Sequence, residues 1–337
     1  MSVSSLEQLA SGRVDAQLLA EISEEVGHVE EELHRQVGSR VETVRGVGRL
    51  TLRAGGKRLR PAFVTLAARA TALPFDLSRT RRLGAGLEMI HMATLIHDDV
   101  IDHSTTRRGK PTAAAEFGNT AAILSGDVLL ARAMRLLSED GDLEVIQTVS
   151  QSVIEVAEGE VRELEVRGQF DLHEEDHLEI LRLKTASFIQ CCCEVGAILT
   201  KATPEVRNAL STYGHHVGMA FQIVDDLLDY RGDKATTGKP VATDFREAQA
   251  TLPLIYLRPT LTSQESEMAR MKFGNGVTDD EIRMMVQWMD CRGAFARAEA
   301  LARNHLESAL GQLEFLPQGS PRDLLAAVAE YVVCRHS

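Results

Sequence analysis

Two short stretches each place three carboxylates inside an apolar helical pattern. TLIHDDVID at 94–102 carries Asp98, Asp99 and Asp102, and FQIVDDLLDY at 221–230 carries Asp225, Asp226 and Asp229. Residues four apart share a helix face, so Asp98 lies one turn below Asp102 and Asp225 one turn below Asp229, with Asp99 and Asp226 turned about 100° away. In water such spacing costs only about 0.2–0.5 kcal/mol per like-charged pair and would be tolerated. The flanks, however, are apolar: Leu95, Ile96, Val100 and Ile101 in one case, Ile223, Val224, Leu227 and Leu228 in the other. Partly buried carboxylates need a cation. One or two carboxylates per ion, completed by water and phosphate, describe Mg2+ held together with its substrate. Two motifs facing one another could hold a metal-bound diphosphate between them.

A metal-diphosphate site also needs cations for the free phosphate oxygens. The chain has 37 basic against 49 acidic residues and a net charge of −12, which excludes general attraction to nucleic acid or anionic lipid. Local basic clusters therefore ask for local reasons. AGGKRLRP carries Lys57, Arg58 and Arg60 from a glycine pair into a helix start, where anions are favoured. RRGKP, five residues past the first acid motif, brings Arg107, Arg108 and Lys110, and guanidinium forks suit phosphate. Lys184-Thr185 interrupts a helix rich in Leu, Ile and Cys, and KATTGKP places Lys234 and Lys239 just beyond the second acid motif. Any one of these alone reads as a surface charge; their grouping beside both acid motifs points to phosphate.

The rest of the chain predicts an all-α fold. Hydrophobic residues are 44% and aromatics only 4%, a balance that favours helices over strands. Leu19, Ile22, Val26, Val29, Leu33 and Val37 recur at steps of three and four, and similar patterns predict helices near 61–72, 79–103, 119–138, 142–167, 174–201, 204–230, 247–258, 278–291, 293–311 and 321–335. Thr203-Pro204, Ser320-Pro321 and the Thr278/Glu281 spacing are helix starts. No strand-length alternation bounded by hairpin turns stands out. Without a Pro/Gly/Ser-rich linker, one helical domain over 15–337 after a flexible segment 1–14 is the simplest organisation. Cys191, Cys192, Cys193, Cys291 and Cys334 suit neither a disulfide framework nor a zinc spacing and read as reduced, buried thiols. The N-terminus has no signal-peptide core and no run of eighteen apolar residues occurs, so the expectation is a cytoplasmic protein that is not an integral membrane protein.

GGKRLRP, HMATLIHDDVIDHSTTRRGKPT, KT, FQIVDDLLDY, GKP and ATLPLIY, in that order and spacing, resemble the trans-isoprenyl diphosphate synthases of the polyprenyl synthase family, from about residue 15 to the end. The resemblance implies an all-α bundle around a deep central cavity, usually a homodimer, and head-to-tail condensation of an allylic diphosphate with isopentenyl diphosphate. Carried over by position, Asp98, Asp99, Asp102, Asp225, Asp226 and Asp229 would hold three Mg2+ on the allylic diphosphate. Arg107, Lys184, Thr185 and Lys239 would grip the same leaving group, with Gln222 nearby, and Lys57, Arg60, His91 and Arg108 would hold isopentenyl diphosphate. Asp98, Asp99, Asp102, Asp225, Asp226 and Lys184 are the expected catalytic set. Stabilising charge on the departing diphosphate lets the allylic C–O bond ionise; the isopentenyl double bond attacks the cation and a proton is lost. No side-chain nucleophile is needed, in keeping with the lack of a Ser-His-Asp or Cys-His signature.

In this family the growing chain runs beneath the first acid motif. Ala93 and Thr94, one turn below Asp98, are both small, which predicts a product of geranylgeranyl length or longer unless Met89 or the 119–138 helix closes the cavity. Two departures stand against the pattern: Ala242 occupies a usual glycine, and Glu247-Ala248-Gln249 replaces the usual Glu-Gly-Lys. Two alternatives stay open. A class I terpene cyclase also uses an aspartate-rich helix with Mg2+ but needs no second diphosphate pocket. A noncatalytic partner subunit would be expected to have lost aspartates, and none is lost.

Overall fold

A computed structural model of the chain describes residues 15–56, 58–232 and 241–334. The expected flexible segment 1–14 and the site candidates Lys57, Lys234 and Lys239 lie outside the described residues. Among those described, the elements run α1 (Ala16–Gln36), α2 (Glu42–Arg53), α3 (Leu59–Ala70), α4 (Leu77–Ile101), β1 (Thr106–Arg107), β2 (Lys110–Pro111), α5 (Ala113–Phe117), α6 (Asn119–Asp140) and α7 (Leu143–Val166). There follow α8 (Glu174–Leu181), a π-helical turn (Arg182–Ala186), α9 (Ser187–Leu199), α10 (Pro204–Arg231), α11 (Thr243–Arg246), α12 (Leu252–Leu257), α13 (Ser263–Lys272), α14 (Asp279–Cys291), α15 (Ala294–Gln312) and α16 (Ser320–Cys334). The fold is all-α, with one two-stranded antiparallel hairpin pairing Thr106 with Pro111 and Arg107 with Lys110.

Local chemistry sets the helix ends. Asp76 accepts from the N–H groups of Ser78 and Arg79 to start α4, and Thr278 with Glu281 forms the expected capping box at α14. The expected helix over 247–258 is instead broken. Ala248 has φ +58°, Thr251 is extended at φ −99°, and α12 starts only at Leu252. A left-handed residue ends the hydrogen-bond ladder, and Pro253, with no N–H to donate, sits where a new first turn tolerates it.

The chain divides into two compact units, the first of Met1–Gln151, Cys191–Ser211 and Phe315–Ala327, the second of Ser152–Gln190, Thr212–Glu314 and Val328–Ser337. In the first, α4 packs against α1, α3 and α6, burying Leu83, Leu87, Met89, Met92 and Ile96. Arg81 clamps Glu25 of α1 at 2.6 and 2.8 Å, and Arg79 clamps Asp140 at 2.7 and 2.8 Å, so α4 is held at a fixed rotation. In the second, Phe273 meets Phe170 and Phe245 edge-on at 5.5 and 5.3 Å within a core that also holds Ile223, Leu227 and Tyr230 of α10. Cys191, Cys192 and Cys193 are buried free thiols as expected, whereas Cys291 and Cys334 are exposed. Burial pushes the Cys192 thiol up to about 12. No described helix is long and apolar enough to cross a membrane.

Candidate active site

In the first unit α4 delivers the first acid motif to its own C-terminal end. Asp98 is half-buried, Asp99 is buried and Asp102 is exposed where it caps the helix, its N–H donating to the Asp98 carbonyl at 2.8 Å. His103 then takes φ +51°, which turns the chain out of the helix and into the hairpin. The hairpin turns through Arg108 and Gly109, both at positive φ, +52° and +72°. Arg107 Nε donates to Asp99 Oδ1 at 2.8 Å, while Arg108 and Lys110 donate to the carbonyls of Gly55, just past α2, and Arg53, its last residue. One hairpin thus links the acid motif to the GGKRLRP loop.

Arg60 lies half-buried in the first turn of α3, and burial lowers its pKa against the opposing pull of Glu88. Burial also drives the His91 imidazole well below its usual value, helped by Arg60, Arg108, Arg107 and Arg58. His91 is therefore neutral at pH 7 and offers one N–H. Arg60 and Arg108 thus act electrostatically on each other and on His91. Arg58 leaves the group that the sequence suggested: its side chain is only 6% exposed and is taken up by Glu30 and Glu88, each at 3.1 Å.

In the second unit α10 carries the second motif, with Asp225 exposed, Asp226 buried and Asp229 half-buried. His177 Nε2 lies 2.7 Å from Asp226 Oδ2. Asp229 accepts N–H donations from Thr243 and Asp244 at 3.1 and 3.0 Å, capping α11. That geometry is set by Ala242, which donates its N–H to the Asp229 carbonyl at 2.8 Å with φ +57°. Burial raises the pKa of Asp229, the two N–H groups opposing it, and raises Asp244 further because Asp229 and Asp226 crowd it.

Lys184 and Thr185 sit in the π turn. A single wide turn inside a helix re-aims its side chains, and two glycines make room for it: a Cβ at Gly218 would stand 2.5 Å from Ala186 Cα, and one at Gly159 would stand 2.9 Å from Lys184 N. Thr185 Oγ1 donates to Gln222 Oε1 at 3.1 Å, uniting two expected ligands. Lys184 Nζ rests on Glu160 at 2.9 Å and Glu163 at 2.5 Å. Burial alone would lower its pKa; Glu163 and Glu160 outweigh that and raise it, so the ammonium keeps its proton. The sequence reading missed His177, Glu88, Glu160 and Glu163. Only Glu160 and Glu163 had a legible signal, as acids on one face of α7 in EGEVRE.

Among the described residues no group of three or more His, Cys, Asp or Glu side chains could hold a metal ion by itself. Mg2+ does not require such a group, since it keeps several waters, takes one or two carboxylates and completes its shell from substrate phosphate. Each motif, taken by itself, offers oxygen donors alone, the kind of ligand this ion takes.

A family model described as polyprenyl synthetase matches residues 41–289. The heptaprenyl diphosphate synthase component 2 of Geobacillus stearothermophilus is 36% identical over 311 residues, covering 92% of this chain and 96% of that protein. The chain belongs to the polyprenyl synthetase family. Its members are prenyltransferases that depend on Mg2+, and this chain is a prenyl-transferring enzyme. Among solved structures, the decaprenyl diphosphate synthase of Rhodobacter capsulatus is similar with a TM-score of 0.88 and 33% identity, covering 97% of this chain and 98% of that one. A polyprenyl synthase from Caulobacter crescentus, complexed with calcium and isoprenyl diphosphate, has a TM-score of 0.87 and 32% identity, covering 100% and 98%. These likenesses bear out the family and the all-α fold expected from the motifs.

Proposed function

We propose that the protein condenses isopentenyl diphosphate head-to-tail onto an allylic diphosphate, giving an all-trans polyprenyl diphosphate of geranylgeranyl length or longer. The carrying observation is the hairpin, whose consecutive arginines serve two places: Arg107 on Asp99 and Arg108 on the Gly55 loop. Two anion sites suit a reaction of two diphosphates, whereas a terpene cyclase needs one.

On this reading residues 15–337 act as one catalytic domain, and the six motif aspartates hold about three Mg2+ with the allylic diphosphate. Bound Mg2+ supplies neutralisation of the charge that develops on the leaving diphosphate. Arg107, Lys184, Thr185, Gln222 and Lys239 orient that diphosphate. Arg107 and Lys184 exchange their carboxylate partners for phosphate oxygens, so a charged donor is in place before substrate arrives. Lys57, Arg60, Arg108 and neutral His91 hold isopentenyl diphosphate, and apolar walls keep water from the carbocation. The proton lost at the end goes to the departed diphosphate.

Two relatives carry heptaprenyl and decaprenyl in their names, which supports the longer end of the range. A homodimer, supported by exposed Ile154, Val161 and Leu164 along α7 and Ile123 and Leu124 on α6, and a place in the cytoplasm complete the proposal. The same relative's name marks it as one component of a synthase, so the assay is run on this chain alone. Purified protein is incubated with Mg2+, isopentenyl diphosphate and each allylic primer, and the products are sized. Linear elongated diphosphates are expected; cyclised hydrocarbon, or turnover only after a second protein is added, would contradict the reading.

A further inference from the structure

Behind the basic loop lies a buried ion pair that none of the roles above uses. Arg58 Nη1 donates to Glu88 Oε1 at 3.1 Å, with Arg58 6% and Glu88 3% exposed. The same guanidinium donates to Glu30 Oε1 at 3.1 Å and to the Leu52 carbonyl at 3.5 Å. One side chain therefore ties α1, the end of α2 and α4 to residue 58. Its backbone is left-handed, at φ +46° and ψ 40°, a conformation an L residue keeps only where its surroundings hold it. Gly56 lies against the same group: a Cβ there would stand 2.8 Å from Arg58 Nη1 and 3.2 Å from Arg108 Nη1.

What is fixed at residue 58 is passed on along the chain. Arg60 is two residues further, and Glu88 is one turn before His91 on α4. Among the described residues Glu88 Oε2 is buried and makes no hydrogen bond, and its charge acts on the surrounding arginines through space. Glu88 sustains the charge of Arg60 and Arg108 for the same reason.

We propose that the Arg58–Glu88 pair is the positioning element of the isopentenyl diphosphate subsite, fixing the backbone at residue 58, where α3 begins, so that Arg60 meets His91 and Arg108 before the ligand arrives. The inference rests on the reading of Arg60, His91 and Arg108 as that subsite. Arg58 touches no substrate; its effect is preorganisation, which shows as affinity for one ligand only.

The test compares wild type with Arg58→Lys, Glu88→Gln and the double variant Arg58→Met/Glu88→Leu. Readouts are KM for each diphosphate, calorimetric Kd for isopentenyl diphosphate, and the urea midpoint. Lysine is a point donor and cannot reach three acceptors as a planar fork does. Both single variants are expected to raise KM and Kd for isopentenyl diphosphate about tenfold, with KM for the allylic diphosphate changed less than about twofold. In the double variant, removing both charges is expected to restore much of the urea midpoint while isopentenyl affinity stays weak. Three results overturn the proposal: an unchanged isopentenyl KM, a rise in both KM values together, or affinity that returns with stability in the double variant. If Glu88→Gln does not fold, Arg58→Lys and the double variant carry the same comparison. Wild-type protein that binds no isopentenyl diphosphate would sink the functional reading instead.

Discussion

His177 Nε2 stands 2.7 Å from Asp226 Oδ2, both side chains buried. An ionised carboxylate only accepts, so the imidazole N–H is the donor and fixes which way Asp226 points. Partners of this kind typically contribute ten- to a hundredfold in metal affinity. His177→Ala is expected to raise the Mg2+ concentration for half-maximal turnover by about tenfold, with His177→Gln recovering part of the loss. An unchanged Mg2+ titration would leave the pair a packing feature.

Ala93 is buried beneath the first acid motif, with Thr94 Oγ1 turned back to the His91 carbonyl at 2.9 Å. Ala93→Phe is expected to shorten the product by one or more isoprene units. Overpacking should also lower stability by about 1–3 kcal/mol, so product length is compared below the melting transition. An unaltered product distribution would remove Ala93 from the path of the growing chain.

Both departures from the glycine pattern sit at left-handed backbone, Ala242 at φ +57° and Ala248 at φ +58°. An L residue there costs about 1–2 kcal/mol, of which glycine's extra unfolded-state freedom returns about 0.5–1. Ala248→Gly is expected to raise stability by up to about 1 kcal/mol, read from the urea midpoint. Ala242 is 0% exposed, and losing its buried methyl costs about 0.8 kcal/mol. Ala242→Gly should therefore be close to neutral, and equal gains at both sites would contradict this division.

Three histidines meet where α10 packs on α15. His216 and His305 approach Nδ1 to Nδ1 at 2.9 Å, and the His215 ring lies 5.1 Å from that of His216. Burial lowers all three, His305 to about 4 with help from His216 and His215. Arg182 lowers His215 further, while Glu155 and Glu179 oppose it. A depressed histidine pKa gives stability that is complete above the unfolded value near 6.5 and lost as pH falls through the folded value. The urea midpoint is expected to fall between about pH 6.5 and 4, and less steeply in His305→Asn. Identical pH slopes would show that the cluster does not titrate on unfolding.

Much of this site was legible because its residues are both chemically distinctive and local in sequence. The α4 pattern expected at 79–103 stands at 77–101, and the basic pairs fall beside the acid motifs. What escaped is set by distant partners. Arg58 and Arg60 look alike in GGKRLRP, but Glu88, 30 residues away, decides that Arg58 is structural. Likewise His177 is an ordinary helical histidine until Asp226, 49 residues on, meets it. Periodicity also missed α2, which contains Gly46 and Gly48, and α13, which is too polar to show an apolar stripe although its Thr262/Glu265 capping box was there to read. The helix expected over 174–201 continues through its π turn, since a one-residue widening leaves the apolar pattern almost unchanged.

The most direct test of metal-held diphosphate chemistry is turnover of isopentenyl diphosphate and an allylic primer before and after chelation of all divalent metal, followed by Mg2+ add-back. Chelation is expected to abolish elongation and Mg2+ to restore it, with Asp98→Asn and Asp225→Asn each lowering kcat by at least about a hundredfold. Undiminished elongation in the chelated enzyme would contradict the roles given to all six aspartates.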